Sequence, residues 1–259
     1  MWNWVTKLDE LKRQGHPVAI ATITRCSGST PREVGTKMLV CGSGEIFGTI
    51  GGGQLEQLVI KDALSCFSDG PAKVINYPLA AKAGQCCGGT VDVMIETINT
   101  GPRLYLFGAG HVGQALCSML KDTPFIVSAI DERLGDERLG PGGAISLPDG
   151  VMNYSETWED FIEDATWNEQ NTYVAVMTHR HDLDQKIIAK VIKKPTRYIG
   201  LIGSKPKWEK FKQRLLLRNF TPDELAKVRC PIGLDTGGKA PQEVAISVAA
   251  ELLKTHYGK

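Results

Sequence analysis

Three glycines near the middle of the chain have the spacing of a dinucleotide-binding turn. Gly108, Gly110 and Gly113 follow the predicted strand Leu104–Phe107 and open a predicted helix at His111. In such a turn the first glycine permits a tight bend, the second lets a pyrophosphate approach the backbone, and the third lets the helix pack closely on the strand. The amide groups at the helix N-terminus then favour an anion. The pattern predicts a nucleotide site, and the alternative is a fold that kept the glycines for packing alone.

An acidic residue at the end of the next predicted strand bears on which nucleotide would fit. Asp131 lies 18 residues after Gly113 and could accept hydrogen bonds from a ribose diol, which favours an NAD-like ligand. Arg133 nearby leaves an NADP-like ligand open. The nucleotide need not be a redox cofactor, because a pterin dinucleotide also carries a pyrophosphate that this turn would hold.

Two histidines stand among carboxylates just after another predicted strand, in the segment Thr178–Asp184. The carboxyl ends of parallel strands line the ligand crevice of an open α/β sheet, so His179 is predicted to belong to that crevice. The alternatives are a metal site made of His179, His181 and Asp184 and a simple helix cap. We assign no metal ligand from the sequence, because the third histidine of a recognisable metal motif is missing.

Two adjacent cysteines, Cys86 and Cys87, precede a pair of glycines in a predicted loop. Glycine backbone lets a ligand approach closely, and a thiolate in such a loop could bind a soft metal or carry sulfur chemistry. The alternative is a pair of small buried side chains in a turn. The residues alone leave both interpretations open.

Two further glycine-rich loops and one helix start offer backbone amides to a ligand. The loop from Ser27 to Thr36 and the triple glycine Gly51-Gly52-Gly53 both resemble anion-binding loops, although sharp turns at sheet corners explain the triple glycine nearly as well. Ser204 follows a predicted strand and either caps the next helix or reaches the crevice. The candidate contacts from these segments are Ser29, Arg32, Gly52, Gly53 and Ser204.

The composition excludes several classes of protein. The chain has 259 residues, of which 42% are hydrophobic and 23% charged, and a formal net charge of +1, so it lacks the basic excess of a nucleic-acid binder. No run of about 18 apolar residues predicts a membrane span, and the first residues lack the features of a secretory signal. The seven cysteines are odd in number and include no Cys-x-x-Cys pair, which favours a cytoplasmic location and argues against structural zinc.

Two different alternations of elements predict two domains. Residues 1–100 combine consecutive strands with few helices, which predicts a smaller α+β N-terminal domain. The turn formers Asn99–Pro102 mark a linker. Residues 101–259 alternate short hydrophobic strands with helices, which predicts a parallel sheet covered on both faces. The predicted fold class is therefore α/β, with a Rossmann-like C-terminal domain.

Taken together, these segments resemble the xanthine dehydrogenase accessory factor family, of the XdhC/CoxI type. The resemblance covers almost the whole chain, and its specificity lies in the order of motifs that are modest one by one. In the first half they are Gly28-Ser29-Thr30-Pro31-Arg32, Gly48-Thr49-Ile50-Gly51-Gly52-Gly53-Gln54-Leu55-Glu56 and Cys87-Gly88-Gly89. In the second half they are Phe107-Gly108-Ala109-Gly110-His111-Val112-Gly113, Asp131-Glu132-Arg133, Thr178-His179 with Asp184, Ile199-Gly200-Leu201-Ile202-Gly203-Ser204 with Lys207, and Pro231-Ile232-Gly233-Leu234-Asp235.

The resemblance implies a cofactor-maturation protein rather than a catalyst. Members of this family are understood to bind the molybdenum cofactor (molybdopterin), hold it during sulfuration by a cysteine desulfurase, and deliver it to a xanthine-dehydrogenase-type client enzyme, often as homodimers. By that resemblance Cys87 is the candidate contact to the cofactor or its sulfur, while Cys86 beside it leaves open which thiol acts. The crevice that would hold a nucleotide or the pyrophosphate portion of a pterin comprises Gly108, Gly110, His111, Gly113, Asp131 and His179.

Two other classes of function compete with this one. An NAD(P)-dependent oxidoreductase would use the glycine turn for NAD and His179 as an acid–base group, but the sequence contains no Tyr-x-x-x-Lys pair or other recognisable hydride-transfer set. A metal-dependent hydrolase would use His179, His181 and Asp184.

Overall fold

The chain divides between Thr100 and Gly101 into two units, each with its own hydrophobic clusters, in a computed structural model of the protein. The structure describes residues 3–13, 15–69, 72–79, 88–136 and 145–258. Within these ranges no helix is both long enough and apolar enough to cross a membrane.

The first unit is built on an antiparallel sheet. Its elements are α1 (Trp4–Arg13), β1 (Val18–Ser27), β2 (Lys37–Cys41), β3 (Ile46–Gly48), α2 (Gly53–Asp69), β4 (Lys73–Pro78) and β5 (Thr90–Ile98). The five strands lie in the order β3-β2-β1-β5-β4, and each neighbouring pair is antiparallel.

Strand β1 shows why this sheet needs a helix on each side. Successive side chains of a strand point to opposite faces. Ala21 and Ile23 belong to the hydrophobic cluster that contains Val59 of α2, whereas Ile20 belongs to the cluster that contains Leu11 of α1. The two faces of β1 therefore pack against different helices. In the strand order, β1 is the middle one of the five strands.

The second unit is built on a parallel sheet. Its elements are β6 (Arg103–Phe107), α3 (His111–Leu120), β7 (Ile126–Ile130), β8 (Met152–Tyr154), α4 (Trp158–Asp164), β9 (Asn168–Val176), α5 (His181–Val191), β10 (Thr196–Leu201), α6 (Lys205–Leu216), α7 (Pro222–Ala226), β11 (Val228–Arg229) and α8 (Pro241–Tyr257). The six strands lie in the order β11-β10-β9-β6-β7-β8, and each neighbouring pair is parallel.

Helices cover both faces of this parallel sheet. On one face Leu106 of β6 packs in a cluster with Leu116 of α3 and Val248 of α8. On the other face Phe107, the next residue, packs in a cluster with Ile188 of α5. The predicted α/β fold class is confirmed, with an antiparallel first sheet and a Rossmann-like second sheet.

The order of the strands fixes where a ligand crevice can open. Strand β6 lies between β7 and β9, so the chain leaves β6 in one direction through α3 and later returns to its other side. In open α/β sheets, ligands bind outside the carboxyl ends of the strands at such a reversal. We therefore expect a ligand crevice at the carboxyl ends of β6, β7 and β9.

Two edge strands were not expected from the sequence. Strands β8 and β11 contain three and two residues, and they pair in parallel with β7 and β10. Segments this short carry no recognisable alternation, so the neighbouring strand, rather than the local sequence, determines that they are strands.

A buried carboxylate links helix α8 to the sheet. The Glu251 side chain accepts hydrogen bonds from the Tyr198 hydroxyl (2.6 Å) and from the Gly233 N–H (2.6 Å). Arg229 Nη1 donates a third hydrogen bond at 3.3 Å. Burial and the adjacent Glu251 carboxylate raise the pKa of Tyr198, so the hydroxyl keeps its proton and remains a donor.

We expect Glu251→Ala to lower the free energy of unfolding by about 2–4 kcal/mol, because it leaves the buried Tyr198 hydroxyl and the Gly233 amide without their acceptor. The measurement is chemical denaturation followed by tryptophan fluorescence. Glu209→Ala is the matched control, because Glu209 is exposed and pairs with Lys212 on the same helix, so its loss should change stability by less than about 0.5 kcal/mol. Equal stability of the two variants would contradict this role for Glu251.

Candidate functional site

A cavity of about 390 Å³ opens at the carboxyl ends of β6, β7 and β9. It lies within the second unit, at the reversal of strand order. The lining residues are Phe107, Gly108, Ile130, Asp131, Glu132, Arg133, Glu156, Trp158, Glu159, Thr178, His179, Arg180, Asp182, Leu183, Lys186 and Ile187. Of the predicted site residues in this unit, Gly108, Asp131 and His179 line this cavity. Its lining residues do not include Gly110, His111 and Gly113, which follow Gly108 along the chain, or Ser204, which lies after β10.

The three glycines of the turn have different steric surroundings. A Cβ on Gly108 would lie 2.5 Å from the carbonyl oxygen of Met177, and a Cβ on Gly113 would lie 2.3 Å from the carbonyl oxygen of Gly108. Both positions are therefore restricted to glycine by the packing of the protein itself. A Cβ on Gly110, by contrast, would meet no atom within 4 Å, so internal packing does not explain glycine at this position.

Gly110 is also the N-cap residue of helix α3. Its backbone is extended, with φ −69° and ψ −170°, and no side chain caps the helix. A helix N-terminus carries amide donors without intrahelical partners and a partial positive charge. The open space at Gly110 thus leaves the backbone at the helix N-terminus accessible to a phosphate or another anion.

Asp131 makes different contacts from those that the sequence suggested. Its Oδ2 accepts hydrogen bonds from the Ala109 N–H (2.9 Å) and Arg133 Nη2 (2.6 Å). Its Oδ1 accepts from the Arg133 N–H (3.1 Å) and Arg133 Nε (2.8 Å). Burial by itself would raise the pKa of Asp131, but these donors outweigh it and hold the pKa below its ordinary value, so the carboxylate stays charged.

The lining of the cavity is more acidic than basic. Two of its cations are paired with carboxylates, Arg133 with Asp131 and Arg180 with Asp182. The other charged lining residues are Glu132, Glu156, Glu159 and Lys186. The phosphates of a ligand would therefore depend on backbone amides, on Lys186 and on the N–H groups of Arg133 that are not bonded to Asp131, whereas the carboxylates suit hydrogen-bond donors on a heterocycle.

A buried ion pair holds the loop that presents His179. The Asp184 side chain, 1% exposed, accepts hydrogen bonds from the Thr178 N–H (3.1 Å) and the Thr178 hydroxyl (2.7 Å). Lys207 Nζ donates to Asp184 Oδ2 at 2.7 Å and to the carbonyl oxygen of Ile202 at 2.9 Å. The pair fixes the ends of β9 and β10 relative to each other and leaves His179 exposed at the cavity wall.

Lys207 belongs to one of the ordered motifs of the sequence, but sequence reasoning assigned it no contact in the site. Its signal is weak, because a lysine three positions after the Ser204 cap would ordinarily face solvent on the first turn of a helix. A Cβ on Gly203 would lie 2.6 Å from Lys207 Cδ, so the preceding glycine leaves the room in which the lysine folds back towards Asp184. Ser204 itself accepts a hydrogen bond from the Lys207 N–H (3.3 Å) and caps helix α6.

The structure does not assemble the metal site considered for a hydrolase. Asp184 is buried and bonded to Thr178 and Lys207, whereas His179 and His181 are exposed. Among the residues that the structure describes, no three His, Cys, Asp or Glu side chains gather in a group that could hold a metal ion.

In the first unit, three predicted loops come together. A Cβ on Gly89 would lie 2.5 Å from the carbonyl oxygens of both Ser27 and Ser29, and a Cβ on Gly51 would lie 2.5 Å from Pro31 Cγ. The loop that carries Ser29 and Arg32 therefore packs against both the triple glycine and the Gly88-Gly89 pair. Cys86 and Cys87 precede this pair and lie outside the described residues.

The side-chain carboxylate of Glu56 accepts hydrogen bonds from backbone amides at the triple glycine. Glu56 Oε1 accepts hydrogen bonds from the Ile50 N–H (3.1 Å), the Gly52 N–H (2.8 Å) and the Thr49 hydroxyl. The Gly51 N–H donates to Thr49 Oγ1 at 3.2 Å. These bonds give the loop an internal structural role, and they leave the predicted ligand contacts of Gly52 and Gly53 as a hypothesis.

Comparison with known proteins places this geometry in a family. Residues 104–252 match the model described as the XdhC Rossmann domain, and residues 11–78 match that of the XdhC and CoxI family. The chain is 31% identical over 256 residues to the uncharacterized protein YqeB of Escherichia coli (strain K12), a match that covers 97% of this chain and 46% of that protein. It is 31% identical over 168 residues to a probable xanthine dehydrogenase subunit of Bacillus subtilis (strain 168), a match that covers 64% of this chain and 46% of that protein.

The chain thus spans about half the length of the curated relatives that it matches. A crystal structure of a xanthine dehydrogenase from Bacillus halodurans superposes with a TM-score of 0.50 at 21% identity, over 98% of this chain and 96% of that one, which shows a shared fold. The resemblance found in the ordered motifs is confirmed: the chain belongs to the XdhC and CoxI family, and its second unit carries an XdhC Rossmann domain.

Proposed function

We propose that this chain is an accessory protein that binds the molybdenum cofactor and serves the maturation of a xanthine-dehydrogenase-type molybdenum hydroxylase. The observation that carries the proposal is the open space beside Gly110. Internal packing explains the glycines at 108 and 113 but leaves open space at 110, on the N-terminus of a helix. A ligand that approaches the backbone explains this glycine, and membership of the family supports the choice of ligand.

The residues present fit a phosphate-bearing cofactor. The backbone from Gly108 to Gly113 would hold its phosphate or pyrophosphate portion, and the acidic lining would accept hydrogen bonds from the amino and ring N–H groups of a pterin. His179 lies at the cavity wall, where it would donate to the same ligand. When bound, the cofactor would supply molybdenum redox chemistry for the client enzyme. The work of this chain would be to bind, orient and shield it.

The Cys87 loop supports a second, separate part of the proposal. Gly88 and Gly89 directly follow Cys87, and Gly89 packs against the backbone of Ser27 and Ser29. In the sequence, Cys87 is thus joined directly to the glycine pair that packs against the loop carrying Ser29 and Arg32. We propose that Cys87 contacts the cofactor or its sulfur, with Ser29 and Arg32 as candidate polar contacts from the adjoining loop.

The proposed partners follow from the family. They are a client enzyme of the xanthine dehydrogenase class, a cysteine desulfurase that supplies sulfur, and a second copy of the chain in a homodimer. The similarity to a probable component of a xanthine dehydrogenase supports the first of these. An NAD-dependent oxidoreductase finds less support, because Arg133 and Ala109 already bond the carboxylate that would receive the ribose diol. For either nicotinamide cofactor, the sequence lacks a recognisable hydride-transfer set.

We expect the full chain, purified from a host that makes molybdopterin, to carry a pterin that becomes fluorescent on oxidation and is identified by mass spectrometry. The matched control is the same chain from a host unable to make molybdopterin, which should lack this signal. Folded protein that carries NAD(H) from the first host, or no pterin at all, would overturn the proposed function.

We expect Gly110→Ala to weaken ligand binding while it changes the stability of the fold only slightly. The new methyl group enters space that contains no protein atom within 4 Å, so the free energy of unfolding should fall by about 1 kcal/mol or less, while the retained pterin should fall about tenfold or more. Pterin content and thermal unfolding are measured on the same samples. Gly113→Ala is the contrasting variant, because its methyl group would clash with a backbone carbonyl and lower stability. Full pterin retention by Gly110→Ala would refute the role of this glycine.

We expect Cys87→Ala to reduce the pterin retained by the chain, or the activation of a client hydroxylase by the purified protein, several-fold. Cys86→Ala is the matched control, because it removes a neighbouring thiol from the same loop and should have the smaller effect. Binding and activation unchanged in Cys87→Ala would remove this cysteine from the mechanism, and a larger loss in Cys86→Ala would transfer the role to its neighbour.

A further inference from the structure

The contacts of Asp131 bear on which ligand the Rossmann crevice accepts. A carboxylate offers about four acceptor positions on its two oxygens. In Asp131 these receive four hydrogen bonds, three from Arg133 and one from the Ala109 amide. A ribose diol placed at the end of β7 would need acceptor positions that Arg133 holds. The side chain of Asp131 is also 7% exposed, so little of it faces a ligand.

Arg133 offers the opposite chemistry. Its guanidinium carries five N–H donors, and Nε and Nη2 are directed at Asp131. The side chain is 36% exposed and lines the cavity, so its remaining N–H donors are available to an acceptor. The fork shape of a guanidinium suits a phosphate oxygen or a carbonyl oxygen and offers nothing to the hydroxyl protons of a diol.

We propose that the Asp131–Arg133 pair is the specificity determinant of this crevice, and that it selects against ligands with a free ribose diol and for ligands that present acceptor oxygens, such as a phosphate monoester, at the end of β7. The inference rests on the proposed function in one respect, that the crevice is a ligand site. The carboxylates of Glu132, Glu156 and Glu159 also act on both kinds of ligand. The effect of the Asp131–Arg133 pair is therefore measured as a change in the ratio of the two affinities, and not as the affinity for one ligand.

The test uses two probes that differ by one group, ADP-ribose, whose adenosine ribose carries a free diol, and the form phosphorylated at the 2′-hydroxyl of that adenosine ribose. Both carry the same terminal ribose, and both are titrated calorimetrically into the full chain. The unsubstituted chain should prefer the 2′-phosphate. In Arg133→Ala, two acceptor positions of Asp131 become free, so ADP-ribose should bind about tenfold tighter or more, and the preference should invert. Arg133→Met, which keeps the aliphatic stem, should behave in the same way if the alanine variant is poorly folded.

Two further variants make the result specific. Lys190→Ala removes a cation of helix α5 that pairs with Glu163 and does not line the cavity, so it should leave the preference unchanged. Asp131→Asn added to Arg133→Ala should abolish the gained affinity, because one acceptor oxygen becomes a donor. Equal affinity for ADP-ribose with and without Arg133, or tighter binding of ADP-ribose than of its phosphate by the unsubstituted chain, would overturn the inference. Neither probe contains a pterin, so these outcomes are independent of whether the chain carries molybdopterin.

Discussion

The close approach of backbone to backbone at the end of β6 is the constraint on which the candidate site depends. Gly108 passes beside the carbonyl of Met177, and Gly113 of helix α3 passes beside the carbonyl of Gly108. A side chain at either position would push the helix away from the sheet. With both contacts in place, α3 begins at His111, immediately beyond the carboxyl end of the inner strand β6. The location of the amide donors is thus a consequence of steric packing.

Hydrogen-bonded charged side chains then hold the loops that surround these amide donors. Asp131 ties the loop after β7 to the amide of Ala109, and Asp184 ties the loop after β9 to Lys207 beyond β10. Both carboxylates are nearly buried, and each is satisfied by several donors. Buried charges are tolerated when they are paired and hydrogen-bonded in this way. The cavity therefore has walls that are set before any ligand enters.

A common feature links loops in both units. Glu56 accepts from the amides of Ile50 and Gly52 at the triple glycine, Asp131 accepts from the Ala109 amide within the glycine turn, and Glu251 accepts from the Gly233 amide. Each glycine-rich segment exposes donors that an external anion could take, and a carboxylate of the same chain takes them first. A glycine-rich loop is therefore incomplete evidence for a ligand. A Cβ would meet no atom within 4 Å at either Gly110 or Gly52, but the positive φ of Gly52 already accounts for its glycine, whereas Gly110 has no positive φ.

The sequence by itself determined the fold class, the turn at Gly108–Gly113 and the family, because these depend on local periodicity and on the order of short motifs. It could not determine the edge strands β8 and β11, which are too short to carry a pattern. It also placed Asp131 correctly at the end of a strand but could not assign its partner. Only the tertiary structure decided that Arg133 and Ala109 bond to Asp131, that Lys207 reaches Asp184, and that Glu56 fills its own loop. The physical reason is that hydrogen bonding depends on proximity in space. Ala109 and Asp131, and likewise Asp184 and Lys207, are more than 20 residues apart and meet only after the strands have paired. The contacts of Arg133 and Glu56 are between residues close along the chain, but they depend on a loop geometry that the residue types alone do not specify.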